Sequence, residues 1–254
     1  MLLEEFDPNR NAIVNPWGVV RRQVGFARVA VSCFSKITFE KLVNELEGVL
    51  VATIFVANMD LPVYKVTYKD VEIVLFLSYV GAAGCVGIME ELFAMGVERM
   101  VLFGTCGVLD ASIEDCSIII PTAEVRDEGT SYHYAPASDE IVVNEKYKEE
   151  FIKILEKHNC TYTEGKVWTT DAFYRETKDK VMRRKQSGCI CVDMECSAVS
   201  ALAKFRGKEV FQFFYAADNL DKEEWDARSL GGNEKFLEKH RIALLAMELA
   251  EKLA

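Results

Sequence analysis

The chain has 254 residues, half of them hydrophobic, which is enough to bury the core of one large domain. Thirty Lys and Arg residues against 40 Asp and Glu residues give a formal net charge of −10, a field that repels nucleic acid. Eight cysteines and an N-terminus without a leader pattern predict a reduced, cytoplasmic protein. The three histidines lie far from any cysteine pair, so no metal site is predicted, and no apolar run approaches the roughly 20 residues of a membrane span.

The first third of the chain predicts a strand, a helix and a hairpin. Residues 27–33 form an apolar run typical of a strand, and residues 38–46 have helical spacing with Thr38 in the N-cap position. Residues 62–68 and 71–77 alternate between apolar and polar side chains. Because only two residues separate these segments, they are expected to form a β-hairpin.

Strands and helices continue to alternate through the rest of the chain. Strands are predicted over residues 100–103, 116–120 (closed by Pro121), 189–192 and 210–216. Helices are predicted over residues 84–95, 145–158, 194–205 and 234–253. This order predicts one α/β domain over residues 1–254, layered around a partly parallel sheet.

Polar residues follow three of the predicted strands, where ligands bind in sheets of this kind. Thr105 lies in the run Gly104-Thr105-Cys106-Gly107, which is either a plain turn or a close approach to an anion or sugar. Glu195 lies in the first turn of a predicted helix. Its carboxylate is either there because the helix dipole stabilises it, or it accepts hydrogen bonds from two ribose hydroxyls. Asp218 is either a capping residue or, in a partly dry pocket, a general acid with a raised pKa.

Residues 168–174 form a fourth candidate segment, Trp-Thr-Thr-Asp-Ala-Phe-Tyr. Its aromatic side chains either stack on a nucleobase or pack in the core.

Five motifs in this order resemble the nucleoside phosphorylase family, which includes hexameric purine nucleoside phosphorylases and uridine phosphorylases. The similar segments are residues 81–85 with 90–92, 104–107, 126–136, 169–174 and 192–195, with Asp218 beyond them. The resemblance implies a three-layer α/β/α fold with a central mixed sheet. It implies cleavage of the N-glycosidic bond of a nucleoside, a homodimer or homohexamer (trimer of dimers), and no cofactor other than inorganic phosphate as co-substrate.

The resemblance also assigns roles to individual residues. Asp218 would protonate a purine base at N7, with Arg228 assisting, and Thr105 would contact phosphate or ribose. The ribose would be held by Met194 and Glu195, and the base pocket would be lined by Phe173, Val192 and Gly107.

The chain departs from this family where phosphate should bind. Leu102 and Met59 stand near positions where the family carries arginines, and the cations left to replace them are Arg21, Arg22, Arg28 and Lys36. Asp218 favours a purine, whereas residues 126–136 are similar to a pyrimidine enzyme. Three functions therefore remain open: a phosphorylase, a nucleosidase that uses water, and a catalytically weak nucleoside-binding protein.

Overall fold

The computed structural model describes residues 2–231 and 234–254. Its helices are α1 (Pro16–Val19), α2 (Lys36–Glu45), α3 (Ala82–Met95), α4 (Lys148–Lys157), α5 (Lys178–Gln186), α6 (Cys196–Arg206) and α7 (Phe236–Leu253). Its strands are β1 (Val29–Cys33), β2 (Val49–Val56), β3 (Met59–Tyr68), β4 (Val71–Leu77), β5 (Arg99–Val108), β6 (Ile118–Asp127), β7 (Glu140–Val142), β8 (Tyr162–Thr170), β9 (Cys189–Asp193) and β10 (Glu209–Asn219).

The strands form one mixed sheet in the order β10-β6-β8-β9-β5-β1-β4-β3-β2, with β7 on the side of β6. Strand β10 also pairs in parallel with β5, so β5, β9, β8, β6 and β10 close into a ring. Each strand of the ring contributes at least one buried residue to a common cluster, among them Cys106, Ile119, Val167, Cys191 and Phe214. Their apolar side chains give the ring a dry core beneath the ends of β5, β9 and β10.

Helices cover the sheet on both faces, because successive strand residues point to opposite sides. On β1, Val29, Val31 and Cys33 pack in the cluster formed with α2, α4 and α7. Ala30, between them, packs in the cluster formed with α3 and α6. The chain is therefore layered as helices, sheet and helices around the ring. No helix in the described part of the chain has the length and apolarity needed to cross a membrane.

Two local predictions are wrong. Ser35, not Thr38, caps α2, because the Ser35 hydroxyl accepts a hydrogen bond from the Thr38 amide. Pro121 does not close its strand: β6 continues to Asp127, and the register against β8 shifts between Pro121 and Ala123. Proline has no amide hydrogen to donate within a regular strand ladder. The register shift next to Pro121 lets the strand continue without that hydrogen bond. Residues 104–107 likewise form no turn, since β5 runs through them to Val108.

Candidate active site

A cavity of about 1450 Å³ opens at the ends of β5, β9 and β10. Seven of the residues predicted for the site line it: Thr105, Gly107, Phe173, Val192, Met194, Glu195 and Asp218. Strand pairing explains why residues far apart in sequence meet here. Gly107 on β5 is opposite Val192 of β9 on one side and Asp218 of β10 on the other.

Gly107 allows this close approach because it has no side chain. A Cβ atom at this position would lie 2.4 Å from Cδ1 of Leu220 and 3.2 and 3.3 Å from the two carboxylate oxygens of Asp218. A register shift between Ala216 and Asp218 also turns the end of β10, and such bulges re-aim side chains next to functional sites. The glycine and the bulge together place the Asp218 carboxyl at the cavity wall.

Glu195 is held at the start of α6 by a buried network. Oδ2 of Asp193 accepts hydrogen bonds from the amides of Glu195 (2.8 Å) and Cys196 (2.7 Å). Oδ1 of Asp193 accepts from the Thr169 hydroxyl at 2.7 Å, and that hydroxyl accepts from the Ser197 amide at 3.1 Å. Asp193 therefore satisfies the first amides of the helix, and its neighbour Glu195 is free to face the cavity.

The Glu195 carboxyl is itself buried and has one backbone donor outside its own segment. Its Oε1 accepts a hydrogen bond of 2.6 Å from the amide of Gly81, in the turn before α3. Burial, and then the negative charge of Asp193, raise the pKa of Glu195 above its ordinary value. Hydroxyl groups that donate hydrogen bonds to this carboxyl would favour its charged form and oppose the effect of burial.

Asp218 also lines the cavity, at the end of β10, with 9% of its surface exposed. Burial raises the pKa of Asp218, and a hydrogen bond from Trp225 opposes this rise. The indole Nε1 of Trp225 donates to Oδ2 of Asp218 at 2.8 Å. Sequence reasoning missed Trp225, because nothing in the order of residues after β10 shows that the chain turns back over Asp218.

Glu176 is a second cavity carboxyl that sequence reasoning missed. Burial and then the charge of Asp218 raise the pKa of Glu176 to about 7, while Lys180 lowers it. The residue follows Phe173 and Tyr174, where the resemblance predicted only aromatic contacts. The sequence offered one indication of this residue, an acidic side chain two positions after the aromatic pair, but gave Glu176 no function.

The described lining of the cavity contains six acidic side chains, Glu176 among them, and three lysines. This arrangement suits a neutral, hydroxyl-rich ligand with proton-accepting atoms. The matching family model is that of the phosphorylase superfamily, over residues 28–249. The chain belongs to the phosphorylase superfamily.

Characterised relatives in the superfamily are distant. The guanosine phosphorylase of Halorubrum lacusprofundi is 26% identical over 150 residues, which is 59% of this chain and 62% of the relative. The DeoD-type purine nucleoside phosphorylase of Bacillus cereus is 26% identical over 137 residues, 52% of this chain and 56% of the relative. The chain thus spans about 60% of the length of these relatives.

Solved structures of the superfamily share the fold. The purine nucleoside phosphorylase of Toxoplasma gondii, in complex with immucillin-H, has a TM-score of 0.77 at 20% identity, covering 89% of this chain and 91% of that one. The uridine phosphorylase of Vibrio fischeri has a TM-score of 0.74 at 22% identity, covering 90% and 92%. The predicted three-layer α/β/α fold with a central mixed sheet is confirmed.

Two predicted contributions to the superfamily site do not reach the cavity. Arg228 is not among the lining residues, since its guanidinium donates to the carbonyl of Ile113 at 2.9 Å. It acts on Asp218 only through its charge, which lowers the pKa of that carboxyl. The candidate phosphate cations Arg21, Arg22, Arg28 and Lys36 are also absent from the described lining.

The described lining contains no arginine, and its lysines are partly engaged. Lys185 is bonded to Asp221, and Lys222 lies 2.5 Å from Oδ2 of Asp226. Arg28 instead pairs with Glu98 at 3.4 Å, outside the cavity. A phosphate dianion would therefore find few free cationic donors within this subunit.

The aromatic segment divides between core and cavity. Trp168 is fully buried, so core packing is the correct interpretation for this residue. Phe173 lines the cavity with 49% of its surface exposed, and its ring lies 4.1 Å from that of Tyr174 between centroids. Phe173 thus keeps a ring face that can stack on a flat ligand.

Proposed function

We propose that this protein cleaves the N-glycosidic bond of a purine nucleoside and releases the free base. The observation that carries the proposal is that Asp218 and Glu195 line one cavity from opposite sides of Gly107. A nucleoside offers vicinal hydroxyls at one end and a proton-accepting base at the other. The two buried carboxyls suit these two ends.

Glu195 binds the ribose in this proposal, with Met194 and Thr105 beside it. The sugar hydroxyls donate to the carboxylate, which already accepts from the Gly81 amide. Phe173 and Val192 contact the base, and Gly107 leaves room for it. These contacts hold the glycosidic bond near Asp218, and positioning of this kind lowers the entropic part of the barrier.

Asp218 delivers a proton to N7 of the purine as the bond breaks. The electron pair of the C1′–N9 bond moves to the base, and protonation makes the base a neutral leaving group. The ribosyl cation is then captured at C1′ by the nucleophile. Burial supports this role because it raises the pKa of Asp218 and so favours the protonated form.

Inorganic phosphate is the proposed nucleophile, which would give ribose 1-phosphate. The names of the relatives, guanosine phosphorylase and purine nucleoside phosphorylase, support it. Hydrolysis by water is the second candidate. It is favoured by the lack of arginine in the described lining and by the excess of carboxyls there.

We further propose that the protein works in the cytoplasm as a homodimer or homohexamer, and the cavity mouth supports the assembly. Large apolar side chains stand exposed beside it, among them Val80, Tyr174 and Met182. Exposed apolar surface of this kind is typical of contacts between subunits. Sedimentation at micromolar concentration tests the assembly, and a monomer would contradict it.

The decisive experiment is a panel of inosine, guanosine, adenosine and uridine, incubated with and without phosphate. We expect free purine together with ribose 1-phosphate, and only when phosphate is present. Equal amounts of free base and ribose in both conditions would establish hydrolysis instead. Tight nucleoside binding without any product would contradict the enzymatic proposal and favour a binding protein. Glu195→Gln serves as the site-directed control.

A further inference from the structure

Trp225 combines two features that rarely occur together. Its side chain is 63% exposed, yet its Nε1–H makes a hydrogen bond of 2.8 Å to Oδ2 of Asp218. In the described part of the chain, it is the only side chain recorded as donating to that carboxyl. Because little apolar burial holds the ring, the hydrogen bond itself is the main contact that places it.

The segment that carries Trp225 is fixed in place by the chain around it. Asn219 and Asp226 exchange two backbone hydrogen bonds, of 2.8 and 3.2 Å, which bring the chain back to the end of β10. The Asn219 side chain also accepts from the Asp221 amide at 2.8 Å, and Lys222 lies 2.5 Å from Asp226. Residue 225 therefore returns over residue 218 as a consequence of this closed turn.

The indole N–H occupies one oxygen of Asp218, and no described side chain donates to the other. An N–H donor stabilises a carboxylate but not its protonated form, so it opposes the effect of burial. A general acid needs its ionisation close to the working pH. A donor that balances burial at the acid meets this requirement.

We propose that Trp225 is the positioning residue of Asp218: its indole N–H holds Oδ2, leaves Oδ1 to carry the proton, and sets the pH range of proton transfer. This inference rests on the proposed function for its catalytic consequence. It gives Trp225 the assisting position for which the sequence suggested Arg228, whose guanidinium is bonded to Ile113 instead.

Other charged groups around Asp218 are left unchanged when the indole is removed. Arg228 and Asp226 act on it from the same turn, and Glu176 faces it from the segment after β8. The Cys106 thiol of β5 also senses its charge. Replacing Trp225 by phenylalanine keeps an aromatic ring at the cavity, smaller than the indole, and removes the N–H donor.

The test is the pH profile of kcat/KM for a purine nucleoside in wild type and Trp225→Phe. Activity that needs protonated Asp218 falls as the pH rises through its pKa, and loss of the donor raises that pKa. We expect the alkaline limb to move upward by about one to two pH units, since a hydrogen bond to a charged group is lost. Trp17→Phe, an exposed tryptophan on α1 outside the cavity lining, is the matched control and should leave the profile unchanged.

A second arm repeats Trp225→Phe in an Asp218→Asn background, where we expect less than about a twofold further effect because both changes act through one contact. An unmoved alkaline limb, or an undiminished effect of Trp225→Phe in that background, would overturn the inference while the proposed function stands.

A fluorescence titration separates the inference from the proposed function. The pH-dependent emission of wild type minus that of Trp225→Phe should follow Asp218 and vanish in Asp218→Asn. If wild type cleaves no nucleoside, the proposed function fails, and this difference still decides the inference. A titration that persists without the Asp218 carboxyl would overturn it.

Discussion

Asp218→Asn gives the sharpest test of the proposed chemistry, because the substitution keeps the shape of the side chain and removes its proton. The amide oxygen of asparagine can still accept the hydrogen bond that Trp225 donates at 2.8 Å. The residue is 9% exposed and fits against Gly107, so the similar volume of asparagine should preserve this packing. The substitution thus isolates proton delivery from positioning.

The expected size of the effect distinguishes an acid from a binding contact. General acid catalysis contributes about 10²–10⁴-fold, which corresponds to about 2.7–5.5 kcal/mol in the activation free energy. A neutral hydrogen bond contributes about 0.5–1.5 kcal/mol, or about 2- to 12-fold. A loss of a hundredfold or more therefore requires the proton, whereas a loss near tenfold is explained by a contact alone.

The assay compares kcat/KM for inosine or adenosine with that for uridine in wild type and Asp218→Asn. A purine needs its proton at N7, while a uridine-type base leaves through hydrogen bonds to its carbonyl and N3 region. The variant should therefore slow the purines by the larger factor and uridine by less. Small and equal losses on every substrate would show that Asp218 is only a structural residue and would remove the support for a purine substrate.

Two further substitutions test residues of the cavity, and a third tests the buried part of β10. Glu195→Gln should weaken nucleoside binding by about tenfold or more, since charge-assisted hydrogen bonds of about 1.5–3 kcal/mol are lost. Because the pKa of Glu195 is raised in the folded protein, wild type loses stability as the pH rises and this carboxyl ionises. The melting temperature of Glu195→Gln minus that of wild type should therefore be larger at pH 9 than at pH 5. Unchanged binding and turnover in the variant would remove Glu195 from the site. We further propose that Glu176, whose pKa burial raises to about 7, accepts a hydrogen bond from the N–H of the base once it is ionised. KM for inosine should then fall as pH rises through 7, and Glu176→Gln should flatten this dependence; a midpoint that persists in the variant would contradict the contact. Gln212 is 1% exposed, and neither its oxygen nor its nitrogen has a partner among the described residues, so Gln212→Leu should raise the free energy of unfolding by about 1–3 kcal/mol and Tm by about 2–12 °C, and a lower Tm would refute this.

The convergence of the site could be predicted from sequence because strand ends are ordered by the sheet. Thr105 and Asp218 lie at the ends of apolar runs on β5 and β10, which are parallel and therefore bring these ends to one edge of the sheet. Val192 joins them through the antiparallel pairing of β9 with the last residues of β5. Their meeting point depends on register, which the apolar pattern does set. The pairing of Gly107 with both Val192 and Asp218 is the structural form of that prediction.

Three strands, β2, β7 and β8, were not predicted, and for β2 and β8 the burial pattern shows why. β2 is rich in apolar residues, but its apolar positions do not match its buried positions. The strand lies at the edge of the sheet, and its side chains Val49, Leu50 and Phe55 are exposed. β8 begins with polar residues and becomes fully buried only from Val167 onward. In each case the position of the strand within the sheet, rather than its own periodicity, decides which side chains are covered.

The part of the site that could not be predicted from sequence consists of side chains on the loops that follow strands. Trp225 reaches Asp218 only because Asn219 and Asp226 close a turn through backbone groups, which leave no mark in side-chain chemistry. Arg228 lies three residues further along and points to the carbonyl of Ile113. The path of this loop therefore decides that Trp225, and not Arg228, contacts Asp218.

The charge of the cavity bears directly on the choice of nucleophile. A phosphate dianion must enter beside the carboxyls of Glu195 and Asp218, and the repulsion falls only if cations face it or the carboxyls carry protons. Burial contributes to the second condition at Asp218, because it raises the pKa of that carboxyl. The first is met weakly by the described residues, because Lys185 is bonded to Asp221 and no arginine is among the described lining residues. We propose that an adjoining subunit of the proposed assembly supplies a further cation for phosphorolysis, which hydrolysis does not need. An enzyme that lost phosphate dependence on dilution to monomers, yet kept slow hydrolysis, would show that the nucleophile is selected by assembly.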